Sequence, residues 1–143
     1  ELSGETLTLA YTNAHFPGDA WVWLPRRNVL FSGDLVYVDR ILGVLPWSSV
    51  KNGQQAFQAL ARLNPAHIVP GHGRVCDLKL AQRDTGDYYD FLAGQVGAAA
   101  KDMEPLSATL DRYQDMSRFR HLHNYEDLHR ANMSRAFTEF ESQ

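Results

Sequence analysis

Alternating polar and apolar residues predict strands in the first third of the chain. Glu5 to Tyr11 alternates with a period of two, which is typical of a strand with one buried face. Ala20 to Leu24 and Asn28 to Phe31 are short aromatic and β-branched runs, and Pro25 to Arg27 between them is typical of a hairpin turn. We therefore expect three strands, followed by a loop from Asp39 to Ser49.

A helical period replaces this alternation further along the chain. Ser48 or Ser49 can cap a helix with one apolar stripe, and Asn64-Pro65 ends it. A short strand, His67 to Val69, follows and stops at Pro70. Three more helical segments are predicted: Asp77 to Lys101, Pro105 to Gln114 and Asn124 to Glu141. Without the short Pro105 to Gln114 segment, the order β-β-β-α-β-α-α places one sheet under several helices.

Length and composition fit one structural domain, with a β-rich part over residues 1–76 and a helical part over residues 77–143. The formal charge is -3 and the basic residues are scattered, which argues against nucleic acid as a partner. No apolar run is long enough to span a membrane. The single cysteine and the start at Glu1, without Met or a signal peptide, leave a cytoplasmic or periplasmic location open.

Three short motifs carry residues that suit a metal ion. His15 lies in Asn-Ala-His-Phe-Pro-Gly-Asp, Asp34 in Phe-Ser-Gly-Asp-Leu, and His72 in Val-Pro-Gly-His-Gly. Imidazole nitrogen and carboxylate oxygen suit zinc and related divalent ions. One such residue in a Gly-containing loop is more often a turn or capping residue. Three of them, each expected at a strand end, favour a metal site at one edge of the sheet.

These motifs resemble those of the second half of the metallo-β-lactamase superfamily. The matching segments are Thr12 to Asp19, Val29 to Leu35 and Ile68 to Gly73, and the hairpin and helix between them also agree. The tail from Arg130 to Phe137 is similar to a hydrolase-like branch grouped with quinoprotein-relay and sulfur-oxidation proteins. The resemblance implies an α/β (layered α+β) fold: the C-terminal half of an αββα sandwich, one mixed sheet covered by helices, with a helical C-terminal extension.

The resemblance also implies a role for each candidate ligand. His15 would bind a first metal ion, Asp34 would bridge two ions, and His72 would bind the second. The family's upstream His-x-His-x-Asp-His motif does not occur in this chain. We therefore expect zinc, binuclear in a complete protein and with iron or manganese as alternatives, but weak or partial metal binding by this chain alone.

Three functions follow from these expectations. The first is the C-terminal part of a zinc hydrolase that uses hydroxide formed at the metal to cleave an ester, amide, lactone or thioester in a small-molecule substrate. The second is a non-catalytic fragment that associates with itself. The third is an iron-dependent redox or sulfur-transferring protein of the same fold. Whether the chain alone is an enzyme stays open, and no catalytic residue beyond the ligands is assigned.

Several other polar or aromatic residues have structural interpretations. Asp19 is expected to brace the loop of His15 through backbone amides, and Trp47 to border the site. Asn124 and Asp127 form a candidate N-cap pair. Solvated or capping roles are expected for three further histidines: His121, His123 and His129.

The predicted sheet leaves one apolar face to be covered. In the resembled sandwich this face packs against a partner sheet, which the chain does not supply. Leaving ~800 Å² of it in water would cost about 20 kcal/mol, more than the ~5–15 kcal/mol net stability of a domain. We therefore expect a homodimer through this face. The alternative is that the C-terminal helices fold back over the sheet.

Overall fold

A computed structural model describes residues 3–143 and contains one four-stranded mixed sheet. The strands lie side by side in chain order: β1 (Thr8–Tyr11), β2 (Ala20–Leu24), β3 (Val29–Tyr37) and β4 (His67–His72). The first three are antiparallel neighbours, and β4 runs parallel to β3 after a helical crossover. The mixed α/β architecture predicted from the sequence is therefore confirmed.

The strand bounds differ from the sequence prediction in two places. β3 continues to Tyr37 and β4 to His72, so Pro70 does not end its strand. Pro70 is accommodated because the ladder between β3 and β4 is irregular here, with register shifts on both sides of Gly33. The hairpin turn agrees with the prediction, since the amides of Arg27 and Asn28 donate back to the carbonyls of Leu24 and Pro25.

The crossover helix α1 (Val50–Leu63) begins and ends where the sequence predicts. The Ser49 side chain accepts a hydrogen bond from the Asn52 amide at the N-terminus. Asn64 adopts a left-handed conformation, φ 50°, and its amide donates to the Ala61 carbonyl. Both caps satisfy backbone groups that the helix leaves unpaired.

The helical part follows β4 and completes the core. It comprises α2 (Leu78–Ala81), α3 (Asp87–Phe91), α4 (Gly97–Lys101), α5 (Leu106–Tyr113) and α6 (Tyr125–Glu141), with π-helical turns at Gln82–Gly86 and Leu92–Val96. The predicted N-cap at Asn124 is wrong: this residue is left-handed, φ 62°, and makes no side-chain cap. No helix within residues 3–143 is long and apolar enough to cross a membrane.

The two faces of the sheet have opposite surroundings. The register places Trp23, Leu30 and Ile68 in one row, and Leu30 and Ile68 are fully buried in the core shared with α1. The adjacent row forms the opposite face, which we call the open row: Leu9, Val22, Phe31 and Val69. Leu9 is 57% exposed and Phe31 is 44% exposed, so the C-terminal helices do not cover this row.

Candidate metal centre

The loop between β1 and β2 is held by the carboxylate of Asp19. This group accepts hydrogen bonds from the backbone amides of Ala14 (3.0 Å), His15 (2.9 Å) and Phe16 (3.3 Å). The Thr12 hydroxyl donates to the same carboxylate at 2.7 Å. These contacts are the bracing that the sequence predicts for Asp19, and they fix the backbone from which the His15 ring projects.

The His15 ring has a defined tautomer. Its Nδ1 lies 3.1 Å from the carbonyl oxygen of Gly43, and a carbonyl only accepts, so Nδ1 carries the hydrogen. In the neutral imidazole Nε2 then has a free lone pair, and it lies 3.6 Å from Oδ2 of Asp34. A backbone carbonyl on Nδ1 is the usual partner of a histidine that binds metal through Nε2.

Asp34 lies inside β3, not at the strand end expected from the sequence. The physical reason is Gly33, whose φ of +53° breaks the register and lets the strand continue beyond the distortion. The two oxygens of Asp34 face different partners: Oδ2 faces Nε2 of His15, and Oδ1 lies 3.5 Å from Nε2 of His72. One carboxylate therefore joins the two histidines.

His72 is the last residue of β4, and the side chains of Tyr37 and Arg40 lie against its ring. The ring stacks on Tyr37 with 4.6 Å between centroids and 26° between planes. Nη1 of Arg40 lies 3.5 Å from Nδ1 of His72, at the outer limit for a hydrogen bond. The side chain of His72 is 42% exposed, whereas that of His15 is 12% exposed, so the site opens on the His72 side.

Tyr37 contacts both histidines, and sequence reasoning did not identify it. Its ring lies 5.8 Å from the His15 ring as well as against His72, and the side chain is buried. Burial, and secondarily the negative charge of Asp34, raises the pKa of Tyr37 to about 12, so the phenol stays neutral. The hydroxyl of Thr85 binds the backbone of Tyr37, which ties β3 to the first π-helical turn.

The three predicted residues are brought together and have the right donor types for a divalent ion. Three ligands are fewer than the four that a zinc ion takes in most protein sites. Within the described part of the chain, no group of three or more His, Cys, Asp and Glu side chains is arranged to hold an ion as it stands. His15, Asp34 and His72 therefore fit part of a coordination sphere.

Trp47 lies in the loop after β3 and is attached indirectly to His15. The Ser48 hydroxyl donates to the His15 carbonyl at 2.7 Å, which joins the two loops. Trp47 itself is 52% exposed and packs edge-on against Phe16, with 5.7 Å between ring centroids. The pair forms an exposed aromatic surface beside the loop of His15.

The other three histidines of the C-terminal part do not form a second centre. His123 is exposed, and Nε2 of His121 lies 3.3 Å from the buried carboxylate of Asp84. The expected solvated or capping role is wrong for His129, which is 2% exposed. Its Nε2 donates to the Tyr113 carbonyl at 2.8 Å and its Nδ1 accepts from the Tyr88 hydroxyl at 2.9 Å, so the core satisfies both ring nitrogens.

The chain resembles known proteins in the part that carries the three candidate ligands. The family model described as the metallo-beta-lactamase superfamily matches residues 1–72. The beta-lactamase-like protein 2 homolog of Caenorhabditis elegans is 32% identical over 76 residues, which are 53% of this chain and 25% of that protein. The chain thus spans about a quarter of the length of this curated relative.

Solved structures extend the likeness to the fold. A metallo-beta-lactamase from Pontibacter korlensis matches with a TM-score of 0.56 and 25% identity over 63% of this chain and 44% of that one. The stereoselective inverting sec-alkylsulfatase Pisa1 from Pseudomonas matches with a TM-score of 0.78 and 16% identity, over 96% of this chain and 24% of that one. The second likeness shows a shared fold that includes the helical part.

Proposed function

Because the chain belongs to the metallo-beta-lactamase superfamily, we propose that it carries the second half of the metal centre of a hydrolase. His15, Asp34 and His72 are the ligands that it contributes. The metal is zinc, and the substrate is a small molecule with an ester, amide, lactone or thioester bond. Superfamily membership by itself implies a hydrolase-like fold and general dependence on a metal. The proposal adds the ligands, the metal and the bond that is cleaved.

The observation that carries the proposal is the arrangement around Asp34. Its two oxygens face Nε2 of His15, in the loop between β1 and β2, and Nε2 of His72, at the end of β4, at 3.6 and 3.5 Å. A carboxylate with a different oxygen toward each partner suits a ligand shared between two cations. The hydrogen bond from His15 to Gly43 supports the same interpretation, because it leaves the facing nitrogen as a donor to metal.

A bound divalent ion would polarise the scissile bond and lower the pKa of a water. The chain's own residues prepare for this in separate ways. Asp19 fixes the loop of His15, and Tyr37 stacks on the His72 ring and lies beside the His15 ring. The greater exposure of His72 leaves that side of the site open for substrate.

We propose that the remaining ligands come from polypeptide outside the described residues. The open row supports this, since an exposed apolar sheet face in line with the ligand-bearing strands suits a second layer of structure. The short coverage of the curated relative agrees with such a layer. We propose that this layer completes the site and that turnover requires it.

Zinc titration of the 143-residue chain, in competition with a chromophoric chelator, tests the ligand assignment. We expect weak binding of one ion, and a loss of affinity of at least about tenfold in His15→Ala, Asp34→Asn and His72→Ala, because each variant removes one of few ligands. His67→Ala is the matched control, since His67 is an exposed histidine at the other end of β4. Equal affinity in all four variants and the parent would contradict the assignment.

A further inference from the structure

Asn132 lies on α6, in the helical part of the chain, and its side chain binds the backbone of the loop that follows β3. Its Oδ1 accepts a hydrogen bond from the amide of Val44 at 2.9 Å, and its Nδ2 donates to the carbonyl of Leu42 at 2.6 Å. Nδ2 also lies 3.3 Å from the Tyr88 hydroxyl, which is the longest of the three contacts. The side chain is fully buried, and each of its polar atoms has a partner.

These partners determine which end of the Asn132 amide is oxygen and which is nitrogen. A backbone N–H only donates and a carbonyl only accepts, so Oδ1 must face Val44 and Nδ2 must face Leu42. The Tyr88 oxygen is free to accept from Asn132, because its hydrogen goes to Nδ1 of His129. The amide therefore has one orientation, and the bonds to Val44 and Leu42 are enough to fix it.

One peptide group connects Asn132 to His15. The N–H of Val44 and the C=O of Gly43 belong to the same planar, trans peptide, so they point in opposite directions. The N–H donates to Oδ1 of Asn132, and the carbonyl oxygen lies 3.1 Å from Nδ1 of His15, which donates to it. Rotation of this peptide would break both hydrogen bonds together. Asn132 therefore holds the carbonyl that sets the tautomer of His15.

Two further side chains on the same face of α6 bind this loop at later positions. Arg135, three residues after Asn132, donates to the carbonyl of Val44. Glu139, seven residues after Asn132, accepts from the amide of Val50 at 2.7 Å. Both bonds go to backbone groups beyond the peptide that accepts from the histidine ring. They fix the rest of the loop and leave the orientation of that peptide to Asn132.

We propose that Asn132 is a positioning residue for His15. By holding the Gly43 carbonyl it keeps the hydrogen of the ring on Nδ1 and leaves the lone pair of Nε2 for a metal ion. Hydrogen bonds in such a chain polarise one another, so the bond from Val44 makes the Gly43 carbonyl a better acceptor. This role rests on the proposed function, since His15 is one of its ligands. It makes α6 part of the site.

The test measures the tautomer of His15 in the metal-free chain by NMR correlation of its ring nitrogens with the ring protons. The measurement is made at about pH 8, where a free imidazole is neutral. His15→Ala assigns the signals by their loss. We expect a single tautomer in the parent chain, with the hydrogen on Nδ1 and the Val44 amide protected from exchange. A parent ring with its hydrogen on Nε2, or a fast-exchanging Val44 amide, would overturn the proposal.

Two variants of Asn132 separate positioning from stability. Asn132→Leu has a similar volume and removes the hydrogen bonds, so it should give a mixture of both tautomers and weaken zinc binding by about tenfold. Asn132→Asp keeps an oxygen that can accept from the Val44 amide and loses the donor to Leu42. It should be less stable than the parent chain and still retain the parent tautomer. If Asn132→Leu does not fold, the parent chain and Asn132→Asp decide.

Met133→Ala is the matched control, because Met133 is the next residue of α6 and is a fully buried apolar side chain. It should lower the free energy of unfolding and leave the His15 tautomer unchanged and zinc affinity within about twofold of the parent chain. The parent tautomer in Asn132→Leu, or an equal mixture in Met133→Ala, would show that Asn132 acts only through stability.

The tautomer is measured without metal, so this role and the proposed function can fail separately. If the tautomer depends on Asn132 but zinc affinity does not depend on His15, the metal assignment fails and the positioning role stands. If zinc affinity depends on His15 while the tautomer and the affinity are unchanged in Asn132→Leu, the positioning role fails and the metal assignment stands.

Discussion

Gly71 of β4 packs directly against Asp34 of β3, with no room between them for a side chain. A Cβ at position 71 would fall on Oδ1 of Asp34 and lie 2.7 Å from the carbonyl carbon of Gly33. Part of this obstacle is backbone, so it cannot be relieved by a rotamer change. The absence of a side chain at 71 therefore sets the position of the carboxylate that joins the two histidines.

Gly71→Ala should displace Asp34 and weaken zinc binding by at least about tenfold. The forced shift in a packed site should also lower the free energy of unfolding by about 1–3 kcal/mol. Zinc competition and urea denaturation measure the two effects. Gly94→Ala is the matched control, because nothing lies within 4 Å of a Cβ there, and it should leave both quantities nearly unchanged or slightly stabilise the fold. Native zinc affinity in Gly71→Ala would show that Asp34 does not need this space.

Tyr37 tests whether ring packing orients the ligands. Tyr37→Phe keeps the surface that stacks on His72 and should bind zinc within about twofold of the parent chain. Tyr37→Leu removes the ring and should weaken zinc binding by about tenfold or more, because both histidines gain rotational freedom.

Tyr88→Leu provides the control, since Tyr88 is a fully buried tyrosine packed on Phe119 and His129 in the helical core. It should lower stability and leave zinc affinity intact. Equal zinc loss in Tyr37→Leu and Tyr88→Leu would mean that Tyr37 acts only through stability.

The order of elements and the three candidate ligands could be predicted from the sequence because both depend on local signals. Ser49 and Asn64 cap α1 where their residue types suggest, and the turn after Leu24 forms where polar residues interrupt two apolar runs. His15 and His72 stand out because Gly and Pro flank them. The approach of His72 to Asp34 follows from the parallel pairing of β3 and β4, which the crossover helix predicts.

The parts that could not be predicted depend on contacts between distant segments. Tyr37 lies in the apolar run after Asp34, and Arg40 lies in the loop that follows β3. Nothing in the local sequence indicates that both side chains lie against His72. The continuation of β3 past Gly33 depends on the left-handed conformation of this glycine. From sequence alone, a glycine at this position indicates the end of a strand. The polar residues near His129 in sequence are typical of a solvent-exposed segment. Its burial depends on contacts with Tyr88, which comes from another helix.

His129 should make the fold sensitive to mild acid. Burial lowers its pKa below the ordinary value of about 6.5, despite the hydrogen bond to the Tyr113 carbonyl, so the native state holds a neutral ring. The unfolded chain therefore binds more protons as the pH falls below about 6.5. The stabilising contribution is fully present above that pH and is lost as the pH decreases, by at most about 1.4 kcal/mol per pH unit.

Urea unfolding at pH 7.5 and pH 5.5 measures this dependence. His129→Gln removes the titrating ring and keeps a donor and an acceptor near Tyr113 and Tyr88. It should lower stability at pH 7.5 and reduce the loss between the two pH values. His67→Ala is the control, because His67 is exposed, and it should retain the dependence of the parent chain. If His129→Gln keeps the full dependence, another group is responsible for it.

The open row leads to the last prediction, which concerns assembly. Leu9, Val22, Phe31 and Val69 lie side by side across all four strands, and Tyr11, 73% exposed, extends the same face on β1. We propose that the chain, when studied alone, forms a homodimer through this face, because an isologous contact covers the row on both copies at once. Sedimentation equilibrium at micromolar concentration should give twice the 16.2 kDa monomer mass.

Phe31→Lys should shift the equilibrium toward monomer by at least about tenfold, since a charge at the centre of the contact is costly to bury. Met103→Lys is the control, because Met103 is 88% exposed and lies outside the sheet, and it should leave the dimer unchanged. A clean monomer of the parent chain, or a dimer that Phe31→Lys does not weaken, would show that the open row is not the self-association surface.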